Sequence, residues 1–228
     1  MEKEYKNNLI LRLFTSVVMI FFVLLITLSA NLLIFSLSII LICVFAIYEW
    51  KKNNFGKHFL GLFIISNFGF WSIFFVSYSG ITSPIADAKN DYFFYYIYLL
   101  IIMNTSIFDT AAFLIGSNYG KTFITKKISP KKTLEGLIGG LFGNLIIGVT
   151  LFMIFNTNLW VIFICVIGGL FAFLGDLLIS YLKRQNGIKD AGDVLPGHGG
   201  ILDRLDSHLL STPITIMLIL VLTNISTV

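Results

Sequence analysis

The sequence predicts an all-α fold: a polytopic bundle of about seven transmembrane helices, with the N-terminus cytoplasmic and the C-terminus outside. Three observations predict it. Of 228 residues, 57% are hydrophobic and only 12% charged, where soluble domains carry roughly a quarter charged residues. Apolar runs long enough to cross a bilayer, about 20 residues each, recur along the whole chain. All but one of the Lys and Arg residues fall in alternate connections between those runs.

The runs lie at about 9–29, 32–48, 58–79, 92–116, 135–155, 159–181 and 207–223. Lys3, Lys6 and Arg12 precede the apolar core of the first, as in a secretory leader, but that core extends from Leu13 to Ala30 with no small-residue cleavage pattern before Asn31. It therefore reads as a retained span. Lys51, Lys52 and Lys57 follow the second run. Lys121, Lys126, Lys127, Lys131 and Lys132 follow the fourth, and Lys183, Arg184, Lys189 and Arg204 follow the sixth. Only Lys89 stands on the opposite side, beside Asp87 and Asp91. Basic residues mark cytoplasmic loops, which selects seven spans in the stated orientation. An extra break in any run would invert everything after it.

No polar stretch is long enough for a separate soluble domain, so residues 1–228 read as a single integral membrane domain. The excess of 16 basic over 12 acidic residues reports topology and does not call for a nucleic-acid partner. Cys43 and Cys165 lie inside apolar runs with no CxxC or Cys/His neighbour, and read as small hydrophobic fillers. His58, His198 and His208 are scattered and offer no zinc spacing.

Carboxylates are rare in this chain, so their positions carry information. Asp109 lies inside the fourth span and Asp176 inside the sixth. An ionisable group at membrane depth costs about 2.5–3.5 kcal/mol on insertion scales and turns toward the bundle interior. A structural polar contact between helices is the plain alternative for each. Asp176, Ser180 and Lys183 stand at i, i+4 and i+7 and share one helix face, as do Asp109, Ala112, Gly116 and Gly120. Small residues on the second face allow close packing or close approach of a ligand. Lys183 and Arg184 also suit snorkelling anchors at the interface.

The stretch "KDAGDVLPGHGGILDRLD", Lys189 to Asp206, is polar and glycine-rich within an apolar chain. Pro196-Gly197-His198-Gly199-Gly200 is a turn by composition, and its glycines let backbone N–H groups approach an anion. It is no Walker A loop. Asp203 and Asp206, at i and i+3, open the last span; capping of a helix explains one of the two. Two such acids with a third on a neighbouring helix resemble a hard-cation site of the Mg²⁺ type. In the other cytoplasmic loop, Ser129 is expected to cap a helix with Pro130 at its first position. Lys131 and Lys132 beside it read equally as topology signals, anionic-lipid contacts or phosphate ligands.

Ser180-Tyr181-Leu182-Lys183-Arg184, Lys189-Asp190, Pro196-Gly197-His198-Gly199-Gly200 and Asp203-Arg204-Leu205-Asp206 together resemble the signature of the phosphatidate cytidylyltransferases, the CDP-diacylglycerol synthases. "DTAAFLIGSNYGK" and "ISPKKTLEGLIGG" are also similar to segments of that family. The resemblance implies generic N-terminal spans over 1–91 and a catalytic half over 92–228, with cytoplasmic loops at about 117–134 and 182–206. It implies the reaction of CTP with phosphatidate to give CDP-diacylglycerol and diphosphate, in a bacterial inner membrane with the site at the cytoplasmic face. By the same resemblance Asp176, Asp203 and Asp206 are the expected Mg²⁺ ligands, and a second, monovalent cation such as K⁺ is allowed. Lys183 and Arg204 join the three acids as catalytic candidates. Ser180, Arg184, Lys189, Asp190, His198, Gly199, Gly200, Lys131, Lys132 and Asp109 are substrate-binding candidates. The expected partners are CTP, phosphatidate and the bilayer, and a homodimer is allowed.

Two other readings stand beside this one. A cation-coupled transporter would also place Asp109 and Asp176 near its binding path, but it needs no long Gly/Asp/Lys motif, and no internal repeat is visible. A CTP-dependent nucleotidyltransferase acting on another lipid phosphate would carry the same motif.

Overall fold

The structure is a computed structural model that describes residues 2–55, 58–82, 89–125, 128–197 and 199–225. Among the described residues seven helices are long and apolar enough to cross a membrane, and every expected span is found as one of them. They are α1 (Glu2–Leu28), α2 (Leu32–Lys52), α3 (His58–Thr82), α4 (Lys89–Tyr119), α5 (Leu134–Phe155), α6 (Trp160–Gln185) and α8 (His208–Ile225). A four-residue helix, α7 (Leu202–Leu205), precedes the last span. The described chain gathers into two compact units, one of Met1–Leu99 with Gln185–Leu205 and one of Leu100–Arg184 with Asp206–Val228.

In the first unit the turn between α1 and α2 is set by Ala30 in the left-handed region (φ 46°) and by Asn31. The Asn31 side chain accepts from the amides of Leu33 and Ile34, at 3.0 and 3.1 Å, and so satisfies two of the donors that a helix start leaves open. α2 packs along α3, with Trp50 against Gly61 and Cys43 and Ile39 against Gly69, and Phe35, Ile39, Ala46 and Trp50 are buried. Gly61 lets α3 approach, because a Cβ there would lie 2.2 Å from the Trp50 indole. Trp50 donates to the Phe55 carbonyl at 3.2 Å. Phe35 meets the edges of Tyr95 and Tyr98, and the Tyr98 hydroxyl donates to Ser72 at 3.0 Å.

The second unit contains an element that composition did not announce. Phe123–Thr125 (β1) and Ser129–Thr133 (β2) pair antiparallel, with Phe123 opposite Thr133 and Thr125 opposite Ser129. Ser129 therefore starts a strand, and the expected helix cap at Ser129 with Pro130 following is wrong. A two-stranded sheet is all edge, so the N–H that Pro130 lacks need not cost a ladder bond. The cap of α5 is Thr133, whose hydroxyl accepts from the Gly136 amide at 3.1 Å. Glu135 reaches back to the Thr122 amide with both oxygens at 3.1 Å.

Glycines allow the remaining helices of this unit to touch. Cβ atoms at Gly139 and Gly140 would lie 2.4 Å from Ile115 and 2.6 Å from Phe108, and one at Gly148 would meet Ile162 at 2.7 Å. Without a hydrophobic drive between helices in lipid, such close contact is what holds spans together. Polar side chains then bridge them. Asn104 and Asn144 both donate to the Cys165 carbonyl, at 3.1 and 2.9 Å. Ser211 donates to the Gly168 carbonyl at 2.9 Å and pairs with Thr105 at 2.9 Å.

Gly140→Leu should force the Phe108 ring aside and destabilise the bundle by about 1–3 kcal/mol, read as a lower melting temperature of the purified protein in detergent. Met153→Ala, at a position 72% exposed on α5, should leave the melting temperature nearly unchanged.

Candidate active site

A cavity of about 270 Å³ opens within the second unit. Asp109 reaches it from α4, Lys131 and Lys132 from β2, Asp176 from α6, and Asp206 with Ser207 from the turn before α8. Each is placed by local structure. Asp109 and Ala112, one turn apart, line the cavity. Farther along the same face a Cβ at Gly116 would lie 3.4 Å from Gly136 Cα, so α4 and the start of α5 meet there. The shared face read from sequence therefore serves both packing and the cavity. Gly175 lets the turn close on α6, since a Cβ there would lie 2.5 Å from the Asp206 carbonyl oxygen.

The Lys132 ammonium lies 2.9 Å from Asp176 Oδ2, with side-chain exposures of 14% and 32%. It also stands over the Phe173 ring, 5.3 Å from its centre. Asp176 Oδ1 accepts from Ser180 at 3.1 Å, as the i, i+4 spacing predicts, and both Ser180 and Lys183 are buried on α6. Asp206 Oδ1 accepts from the Ser207 amide at 2.9 Å. Arg184 Nε donates to the Ile128 carbonyl at 3.3 Å, so its guanidinium holds the turn of the hairpin.

In the first unit the glycine-rich stretch is closed by carboxylates. Asp203 Oδ2 accepts from the amides of Ala191 and Gly200, at 2.7 and 3.0 Å, and the Leu195 amide donates to the Gly199 carbonyl at 2.9 Å. Gly197 and Gly199 adopt φ of 77° and 81°, a conformation that favours glycine. A Cβ at Gly199 would also lie 2.8 Å from Asp203 Oδ2. Lys189, Asp190 and Arg204 are exposed. His198 lies outside the described residues. The backbone at Gly197 approaches Leu11 and Arg12 of α1, so the start of α1 and the glycine loop stand at the same end of this unit.

Asp176 and Asp206 thus share a cavity with Asp109 and with both lysines of β2, whereas Asp203 commits one oxygen to two loop amides. Neither Asp203 nor Asp206 lies in the last long helix: Asp203 belongs to α7 and Asp206 to the turn that follows. Among the described residues no three of His, Cys, Asp and Glu close around a point that could hold a metal by themselves. Two carboxylates are nevertheless the usual protein share for Mg²⁺, with water and substrate phosphate completing the shell. The hard oxygens of Asp176 and Asp206 fit that pattern.

Sequence reasoning passed over Glu49. It is 1% exposed, and its two oxygens accept from the amides of Ile201 (3.0 Å) and Leu202 (2.8 Å). The available signal was an acid beside Trp50 at the end of a run with no other charge.

Over residues 52–222 the sequence matches the cytidylyltransferase family, and the chain belongs to it. It is 42% identical over 137 residues to a phosphatidate cytidylyltransferase of Staphylococcus aureus (strain COL), covering 59% of this chain and 52% of that one. To the protein of the same name from Aquifex aeolicus it is 37% identical over 187 residues, covering 81% and 65%. The chain spans about half the length of the staphylococcal relatives it matches.

Lys132→Ala should leave Asp176 without its ammonium partner. Removing one partner of a fully buried pair costs about 3–5 kcal/mol. With Asp176 32% exposed, roughly 1–3 kcal/mol is expected. Adding Asp176→Asn to Lys132→Ala should recover most of that loss in denaturation of the purified protein. A fully additive double variant would show that the pair is energetically idle.

Proposed function

We propose, on the premise that this chain belongs to the cytidylyltransferase family, that it transfers the cytidylyl group of CTP to phosphatidate, giving CDP-diacylglycerol and diphosphate. The observation that carries this reading is the cavity in which Asp109 and Asp176, on two membrane-spanning helices, meet Asp206 of the turn before α8 and Lys131 and Lys132 of β2. The names of the relatives from Staphylococcus and Aquifex supply the substrate class.

In the reaction a phosphate oxygen of the lipid forms a bond to the α-phosphorus of CTP. The bond from that phosphorus to the oxygen bridging to the β-phosphate breaks, and diphosphate leaves. A lipid phosphate already ionised near neutral pH needs no general base. The demand is to hold two polyanions in line and to neutralise their repulsion. Lys131 and Lys132 supply fixed positive charge at the cavity. Lys183, Lys189, His198 and Arg204 are further phosphate contacts by their place in the motif. Asp176 and Asp206 would hold Mg²⁺, which when bound neutralises the triphosphate and the departing diphosphate. Carboxylates alone would repel both substrates, so a cation is the component that this acidic cavity calls for. The diacyl chains would stay in the bilayer while CTP arrives from the cytoplasm. The N-terminus and the glycine loop would both lie on the cytoplasmic face of a bacterial inner membrane, with the C-terminus outside. Basic residues in alternate loops and the approach of Gly197 to Arg12 support that orientation.

Product analysis of the purified protein with radiolabelled CTP and a panel of lipid phosphates tests the reaction. Labelled CDP-diacylglycerol is expected with phosphatidate. It should vanish with a chelator and return with Mg²⁺. Asp176→Asn and Asp206→Asn should accumulate in the membrane yet lose nearly all transfer. Lys183→Gln and Arg204→Gln should each lower turnover roughly ten- to a hundred-fold, the effect of one lost charge-assisted contact. Chelator-insensitive transfer, or an active Asp206→Asn protein, would overturn the metal assignment. Orientation is tested separately: a C-terminal reporter active only in the cytoplasm should stay silent.

A further inference from the structure

We infer that Glu49 is a positioning residue for the proposed transfer, an internal anchor that holds the glycine-rich loop and Asp203 in their working form. This rests on the reading of the function given above. Glu49 is outside the stretch matched to the family, which begins at residue 52, and it is not among the residues that line the acidic cavity. Its contacts are with the motif itself.

The geometry makes Glu49 a two-handed acceptor. One oxygen takes the Ile201 amide at 3.0 Å and the other the Leu202 amide at 2.8 Å. Both amides lie just ahead of Asp203, at a helix start where backbone N–H groups have no internal partner. Asn53, which caps the end of α2, donates from its side chain to the Ala191 carbonyl. The end of α2 therefore grips both ends of the 191–202 segment, and Asp203 closes it from within by accepting from Ala191 and Gly200.

Two glycines show how tightly the carboxylate is enclosed. A Cβ at Gly192 would lie 2.6 Å from Glu49 Oε1, and a Cβ at Gly200 would lie 2.5 Å from Oε2. These are hard contacts with a buried group whose two bonds leave it no other rotamer to adopt without losing them. The loop at residues 192 and 200 is thus glycine for the sake of Glu49, and only 197 and 199 need their glycines for backbone conformation. Glutamine cannot replace the acid. It offers one acceptor oxygen and one NH₂ donor, so one loop amide would face another donor in a site closed to water.

The test compares Glu49→Gln, Gly200→Ala, Glu49→Ala and the Glu49→Ala/Gly200→Ala pair in the full-length chain. Three quantities are measured: melting temperature, amide hydrogen exchange, and turnover with CTP and phosphatidate. Glu49→Gln should speed exchange at Ile201 and Leu202 at least ten-fold, leave exchange in α3 unchanged, and lower turnover roughly ten- to a hundred-fold. Gly200→Ala should do the same with Glu49 intact. Once Glu49 is removed, Gly200→Ala should add no further loosening at Ile201 and Leu202 and no further fall in melting temperature, because the atom it collides with is gone. Wild-type exchange at Ile201 and Leu202 in Glu49→Gln would overturn the anchor. So would loosening spread evenly through the first unit with a fallen melting temperature, which marks a merely structural acid. A loosened loop with wild-type turnover would overturn the positioning role. Absence of cytidylyl transfer from the wild-type protein would instead strike the proposed function, and the exchange data would still decide whether Glu49 anchors the loop.

Discussion

A carboxylate among membrane-spanning helices must find its partners inside the protein, and this constraint organises both units. Lipid offers no hydrogen bonds, so each acid is either paired, bonded to backbone amides, or turned to a wet cavity. Asp176 does the first and third, with Lys132 on one oxygen and Ser180 on the other. Asp203 and Glu49 do the second, and between them they accept from four amides of one loop. The polar stretch that looks so foreign in the sequence is built around these acceptors.

Close packing makes the pairing feasible. Side chains as short as Asp and Ser bridge elements only when backbones come near each other, and glycine is the residue that permits it. Gly175 admits the turn carrying Asp206, while Gly192 and Gly200 leave room for Glu49. Substituting any of them would spare the charged groups themselves and still displace them. The small residues and the acids are for this reason one design.

Much of this was legible beforehand, and what was not has a physical cause. Apolar runs marked every span, because about 20 such residues have few other uses. The spacing of Asp176 and Ser180 placed them on one helix face, since i and i+4 meet on any helix, and there they are hydrogen-bonded. Asp109 and Ala112 likewise arrived together. The hairpin was missed because Ser129-Pro130 matches a helix start as well as it matches an edge strand, and three residues of β1 are too few to show alternation. Lys131 and Lys132 were open between topology and ligand binding, and only folding brought both to the cavity. Glu49 stayed hidden for a different reason. Its partners are backbone amides about 150 residues away, and an amide has no residue identity to read.

The donors that converge on α6 set an angle as well as an energy. Asn104 and Asn144 hold the Cys165 carbonyl, and Ser211 holds that of Gly168. Turning α6 by one residue would swing these carbonyls through about 100° and abandon all three bonds at once. Asp176 stands eleven residues beyond Cys165, close to three whole turns, so the two share a bearing around the axis. A clamp deep in the apolar layer thereby acts as a goniometer for the polar one: the azimuth at which Asp176 meets Lys132 is dialled in two to three turns away.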